Sequence, residues 1–162
     1  MEILEAASYV AQIIGVLAIV GTVMFGIKQI QESNRLARID LTTRVGLGLT
    51  DYSMNIGLSP QASGVWRTGM LDQSKLDENT RTQFTMLCTS AFNGYETQFR
   101  LHQENMLADV MFERSVRQLT FFSTLQGVRD WWPRHRANFN TDFAQFVDGI
   151  IDETSESKAS KA

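Results

Sequence analysis

The sequence predicts an all-α protein, in which one N-terminal transmembrane helix continues into a small cytoplasmic helical bundle. Residues 6–27 contain no charged side chain, and a helix of that length is about 33 Å long, which matches the hydrocarbon core of a bilayer. After this stretch, apolar residues recur at spacings of three and four, without strand-like alternation of useful length. A fully buried core helix is the alternative for the charge-free stretch, but such helices rarely lack charge over this length.

The predicted organisation has four parts, which are a short extracytoplasmic N-terminus (1–5), the transmembrane helix (6–27), a cytoplasmic helical domain (28–153) and a disordered tail (154–162). Glu2 and Glu5 precede the apolar run, whereas a cleaved signal peptide usually opens with a basic residue. The basic residues that flank the run all follow it, namely Lys28, Arg35, Arg38 and Arg44. This asymmetry predicts a single-pass protein of the inner membrane with its N-terminus outside.

Small side chains form one stripe along the predicted span, at Ala11, Gly15, Ala18, Thr22 and Gly26. Such a stripe lets two helix backbones approach closely in lipid, so it predicts self-association. Incidental composition is the alternative, because small residues are common in membrane helices.

Start and stop signals divide the rest of the chain into helices. Gly57 with Ser59-Pro60 predicts the end of the long first helix, and a short helix holds Trp66 before Gly69. Asp77 predicts the N-cap of a helix with one broad apolar face, which carries Phe84, Leu87, Cys88, Ala91, Phe92, Tyr95 and Phe99.

Three more helices are predicted after that one. The first spans residues 108–125, with inward candidates Val110, Met111, Leu119 and Phe122. The second spans residues 128–137, where Pro133 either kinks the helix or marks its first turn. The last is capped by Asn140 or Thr141 and has an apolar stripe of Phe139, Phe143, Phe146, Val147, Ile150 and Ile151.

Composition limits the possible chemistry. Residues 28–162 carry fifteen basic and sixteen acidic side chains, which argues against a nucleic-acid binder. The only cysteine, Cys88, lies among apolar neighbours and is expected in the core. His102 and His135 are the only histidines and lack metal-ligand spacing. We expect no metal, no cofactor and no small-molecule ligand.

Arg129 and His135 are the candidate catalytic residues. They flank a tract of cations and tryptophans, and their spacing resembles the R-x-x-x-x-x-H motif of the HEPN ribonucleases. That resemblance implies an arginine and histidine acting on an RNA 2′-hydroxyl and phosphate at a dimer interface. The alternative is that Trp131 or Trp132 anchors the core while the arginines are solvated or paired with Asp130. Enzyme activity is the less favoured interpretation.

The order of features also resembles a group of bacterial membrane proteins that have one N-terminal span, a helical cytoplasmic domain and no assigned activity. The matching residues are Gln29-Ile30, Asn34, Arg35, Trp66, Gly69, the run from Gly127 to Trp132, Phe143 and Phe146-Val147-Asp148. Pro133 departs from that pattern, in which the helix runs on. The resemblance implies topology and fold, and transfers no functional residue.

These observations favour a membrane-anchored helical interaction or scaffold domain, whose partners are the lipid bilayer and either a second copy of the chain or another protein. A membrane-tethered HEPN-like ribonuclease is one alternative. An accessory subunit of a larger membrane complex is another.

Overall fold

The computed structural model describes the backbone of residues 2–159 and the side chains of residue 9 and of residues 12–156. Within that part, the chain consists of α-helices and two short 3₁₀ helices, with no strand, so the predicted all-α class is confirmed. The α-helices are α1 (Glu2–Leu58), α2 (Pro60–Leu71), α3 (Glu78–Gln103), α4 (Asp109–Ser123), α5 (Gln126–His135) and α6 (Thr141–Ala159). The 3₁₀ helices are Gln73–Lys75 and Arg136–Asn138. The chain divides into two units, Met1–Leu41 and Thr42–Ala162.

The first helix ends where the stop signal predicts. Helix α1 runs without interruption to Leu58, and Ser59 is the N-cap of α2, where its hydroxyl accepts a hydrogen bond from the Ala62 amide at 3.2 Å. Pro60 occupies the first position of α2, where its missing N–H removes no helical hydrogen bond. Gly69 lies within α2 rather than after it. The sequence signal therefore places the boundary between α1 and α2 correctly.

Helix α3 is the central helix of the second unit. Its N-cap is Asp77, as predicted, and the Asp77 carboxylate accepts a hydrogen bond from the Thr80 amide at 2.8 Å. Most of the predicted apolar face is buried, at Phe84, Cys88, Ala91, Phe92 and Tyr95, while Leu87 and Phe99 are partly buried and pack against the core. The core therefore forms on the face that the apolar spacing selects.

Helix α4 follows the prediction except at Val110. Its buried residues are Ser115, Leu119 and Ser123, at a spacing of four, and Phe122 packs beside them. Val110 precedes Ser115 by five residues, which rotates it far from that stripe, and it is 74% exposed. The prediction that Val110 points inward is wrong, because its position places it about 140° around the helix from Ser115.

Pro133 lies in the last turn of α5. It is inside the helix, which ends at His135 and continues as the 3₁₀ helix Arg136–Asn138. Since proline removes a backbone donor, the regular helix stops soon after it. The alternative that Pro133 marks the first turn is therefore wrong.

Helix α6 begins as predicted and is longer than predicted. The Asn140 side chain accepts a hydrogen bond from the Asp142 amide at 2.9 Å, which caps the helix. The predicted stripe is buried at Phe143, Val147 and Ile150. At the other end, α6 continues to Ala159, so residues 154–159 are helical and not a disordered tail. Residues 160–162 lie outside the described part of the chain.

The extension of α6 has a physical cause in α5. The guanidinium of Arg129 donates hydrogen bonds to the hydroxyls of Ser155 at 2.8 Å and Thr154 at 3.0 Å. Both hydroxyls also donate to the Ile151 carbonyl. The sequence-based expectation of disorder misses these contacts, since they join residues about twenty-five positions apart.

Two glycines allow close packing of α2, one against α5 and the other against α3. A Cβ atom added to Gly127 would lie 1.8 Å from the Gly69 carbonyl oxygen, and one added to Gly69 would lie 2.2 Å from the Phe84 ring. The Gly127 carbonyl in turn accepts a hydrogen bond from the Gln73 side-chain amide at 2.6 Å. The crossing of α2 and α5 therefore needs glycine at position 127, whereas glycine at position 69 makes room for the Phe84 ring of α3.

Candidate functional site

The first candidate site is the apolar part of α1. Its large side chains are exposed over residues 13–27, for example Leu17 at 64% and Phe25 at 70%. In the described part of the chain, α1 is the one helix long and apolar enough to cross a membrane, by length and composition. Thr22 donates a hydrogen bond to the Ala18 carbonyl at 2.8 Å, so its hydroxyl needs no water. One long apolar N-terminal helix could thus span a membrane.

The predicted small-residue stripe lies on this part of α1. Gly15 and Gly26 each have open space around the position where a Cβ atom would stand, with no neighbouring atom of the described chain within 4 Å. Ala18 and Thr22 are exposed. The Ala11 side chain lies outside the described residues. The stripe is therefore uncovered where the structure describes it.

The second candidate site is the tract around Arg129 and His135. Arg129 donates to the Ser123 carbonyl at 2.9 Å, in addition to the two hydroxyls of α6. The Nδ1 atom of His135 lies 2.8 Å from the Trp131 carbonyl oxygen, and the imidazole stacks on the Trp131 ring with centroids 4.8 Å apart. Each candidate residue thus has structural partners of its own.

Both tryptophans of this tract are core residues. Trp131 is fully buried and Trp132 is 2% exposed, and Phe92 packs against both rings, at centroid distances of 5.0 and 5.3 Å. The Trp132 indole N–H donates to Asp148 at 2.8 Å. Asp148 also accepts from Arg136 at 2.5 Å. The tract therefore fixes α5 to α3 and α6, and the polar face of α6 contributes a partner that its sequence pattern did not reveal.

A third feature is a groove beside the C-terminal part of α1, which sequence analysis missed. Its volume is about 570 Å³, and its lining includes Leu49, Met54, Val110, Met111, Arg114 and the pair Gln98 and Ser115. Ser115 donates to the Gln98 side-chain oxygen, and Gln98 is 2% exposed. No local signal could find this groove, because it joins residues from three helices.

Tyr52 connects this part of α1 with α3. Its hydroxyl donates to the Leu87 carbonyl at 2.7 Å, and its ring lies edge-on to Trp66. Burial raises the pKa of Tyr52 and Tyr95 above the ordinary range. Burial also raises the pKa of the Cys88 thiol, so this cysteine is a core residue and a poor nucleophile.

Metal-ligating side chains do not gather in the part of the chain that the structure describes, where no group of three or more His, Cys, Asp or Glu could hold an ion. The Nε2 atom of His102 lies 3.2 Å from a carboxylate oxygen of Asp109. Its ring stacks on Phe112 at a centroid distance of 4.0 Å.

Comparison with protein-family models, with curated proteins and with solved structures gave no match. The geometry therefore defines the class alone: an all-helical protein with one long apolar N-terminal helix that could span a membrane.

Proposed function

We propose that this chain is a membrane-anchored helical interaction domain that associates with a second copy of itself. The observation that carries the proposal is the uncovered apolar part of α1, residues 13–27, whose side chains no other described part of the chain buries. Exposing so many large apolar side chains to water costs about 25 cal/mol per Å² of apolar surface. A bilayer removes that cost.

The proposed orientation places the second unit in the cytoplasm. The support is the charge asymmetry, because Lys28 and Arg35 follow the apolar run while Glu2 and Glu5 precede it. Arg35 forms an ion pair with Glu32 at 2.6 Å, and both side chains are exposed. Such charged groups belong at the water side of the interface.

Self-association is supported by the stripe in the span. Lipid supplies no hydrophobic drive between helices, so close backbone packing must hold them together. Gly15 and Gly26 provide that possibility, since the space next to each is open in a single chain. A second copy of α1 would fill it.

Thiol crosslinking tests this association in native membranes. Cys88 is buried, so a Gln29→Cys variant carries one accessible thiol, on the same helical face as Gly26. We expect this variant to form a crosslinked dimer. Adding Gly15→Ile should reduce the dimer severalfold, because the larger side chain separates the backbones.

Leu17→Ile is the matched control, since it changes an apolar side chain on another face of α1. It should leave the dimer yield unchanged. Equal yields in the parent, Gly15→Ile and Leu17→Ile would show that the stripe is incidental. Absence of any dimer would favour an accessory subunit whose α1 packs against another protein.

A further inference from the structure

Two arginines of the second unit that are distant in sequence line the same surface depression. The depression has a volume of about 420 Å³, and its lining consists of Gln73, Ser74, Arg81, Asp130 and Arg134. Arg81 belongs to the first turns of α3, and Arg134 belongs to the last turn of α5. The fold therefore brings two guanidinium groups to the same place.

Neutral oxygen atoms hold both guanidinium groups. Arg81 donates to the Leu76 carbonyl at 3.0 Å. Arg134 donates to the Asp130 carbonyl at 2.9 Å and to the side-chain oxygen of Gln73 at 3.1 Å. Gln73 is 8% exposed and is itself fixed by its bond to the Gly127 carbonyl. The arginines are thus oriented without their charges being neutralised, and each keeps further N–H donors.

The acidic side chains nearby are occupied by other donors. The Asp130 carboxylate accepts from Gln126 at 2.7 Å, and the Asp72 carboxylate accepts from Ser74 at 2.6 Å. Hydrogen bonds from Thr80 are the main cause of the lowered pKa of Asp77, and the charge of Arg81 adds a smaller effect. Within the described residues, neither Arg81 nor Arg134 forms an ion pair. The lining carries two positive charges and the negative charge of Asp130, so the depression has a net formal charge of +1 on a chain of net charge −3.

We propose that this depression binds a phosphate group, with Arg81 and Arg134 as its two charged ligands. Guanidinium groups match the oxygen geometry of phosphate and bind it through paired hydrogen bonds. Two arginines held in place before binding lose little side-chain entropy when the anion arrives. The phosphate group comes either from an anionic lipid headgroup or from a soluble phosphate compound.

Calorimetric titration of inorganic phosphate tests the site, using the full chain in phosphatidylcholine nanodiscs at constant ionic strength. We expect saturable binding. Arg81→Gln and Arg134→Gln should each weaken it by about tenfold or more, because each removes a charge-assisted interaction. Arg117→Gln is the matched control, since it removes the same charge from a residue that pairs with Glu113 outside the depression.

A second arm uses nanodiscs that contain phosphatidylglycerol. Weaker phosphate binding by the parent in these discs would identify the lipid headgroup as the occupant, and unchanged binding would identify a soluble phosphate. No saturable binding by the parent, or equal affinity in the parent and the two site variants, would overturn the proposal. If Arg134→Gln fails to fold, Arg81→Gln decides the question by the same criterion.

Discussion

Two glycines of the helical domain lie in surroundings opposite to those of the glycines in the predicted span. Gly15, Gly21 and Gly26 have no described atom within 4 Å of the position where a Cβ atom would stand. Gly69 and Gly127, in contrast, have a ring atom at 2.2 Å and a carbonyl oxygen at 1.8 Å from that position. The same residue type thus marks open space in the predicted span and close packing at these two positions of the helical domain.

Apolar side chains differ between the units in the same way. The large apolar side chains of residues 13–27 are exposed, with Phe25 at 70%, whereas Phe84 and Phe143 in the second unit are fully buried. A domain that folds in water buries its rings against one another. A helix made for lipid needs no such partner within its own chain. This contrast is what we expect if, as proposed, the first unit lies in lipid and the second in water.

Adding a single methyl group should have its largest effect on stability at Gly127. Gly127→Ala should lower the free energy of unfolding of the domain by about 3 kcal/mol, because α2 and α5 must separate to admit the Cβ atom. Thermal unfolding followed by circular dichroism measures this change.

Gly149→Ala and Gly15→Ala are the controls for this prediction. Gly149 lies in α6 with open space around it, so alanine should stabilise the helix by up to about 1 kcal/mol. Gly15→Ala should leave the unfolding of the domain unchanged. A Gly127→Ala variant as stable as the parent would mean that the helices do not cross at this distance.

Alkaline pH should destabilise the helical domain, and residues of the predicted span should not contribute to this loss of stability. Burial holds Tyr52, Tyr95 and Cys88 neutral by raising each pKa. Their stabilising effect is complete below the pKa values of the unfolded chain, which are about 8.5 for cysteine and 10 for tyrosine. Stability should therefore fall as the pH rises above about 8.5, and more steeply above 10.

A tyrosine variant in each unit, Tyr52→Phe and Tyr9→Phe, tests which unit causes the pH dependence. Tyr52→Phe should weaken the pH dependence of the melting temperature above pH 10, because one buried phenol is removed. Tyr9 lies in the first unit, outside the domain whose melting is followed, so Tyr9→Phe should leave the melting behaviour of the domain as in the parent. Equal pH dependence in all three proteins would refute the assignment of the effect to Tyr52.

The smallest expected effect concerns RNA cleavage. The partners of Arg129 and His135 are structural, so we expect the purified protein to show no RNA cleavage without added metal. His135→Ala should then change nothing in a cleavage assay. Metal-independent cleavage that is lost in a folded His135→Ala variant would instead establish the HEPN-like alternative.

Local signals in the sequence predict much of the helical framework. Ser59-Pro60 and Asp77 mark real helix boundaries because capping is a contact between residues three positions apart. The stripe of α6 is buried since its spacing alone selects a face. Contacts between residues that are close in sequence can therefore be predicted without knowledge of the fold.

Long-range contacts explain what the sequence could not predict. The Gly69 and Gly127 crossing joins residues that are neighbours only after folding. The same holds for Arg81 and Arg134, which no motif connects. Helix α6 continues past residue 153 because Arg129 holds its hydroxyls. Val110 was misplaced because an apolar residue in a first helical turn can belong to either face.

Membrane topology is the most direct test of the central claim. The full chain is expressed with a C-terminal reporter that is active only in the cytoplasm, and reporter activity in intact cells gives the orientation. The cells are then lysed and the membranes are washed with alkaline carbonate, which tests whether the protein is anchored. The proposed anchor predicts that the protein stays in the washed membranes and that the C-terminal reporter is active. Release of the protein by carbonate, or a C-terminus accessible to protease from outside the cell membrane, would contradict it.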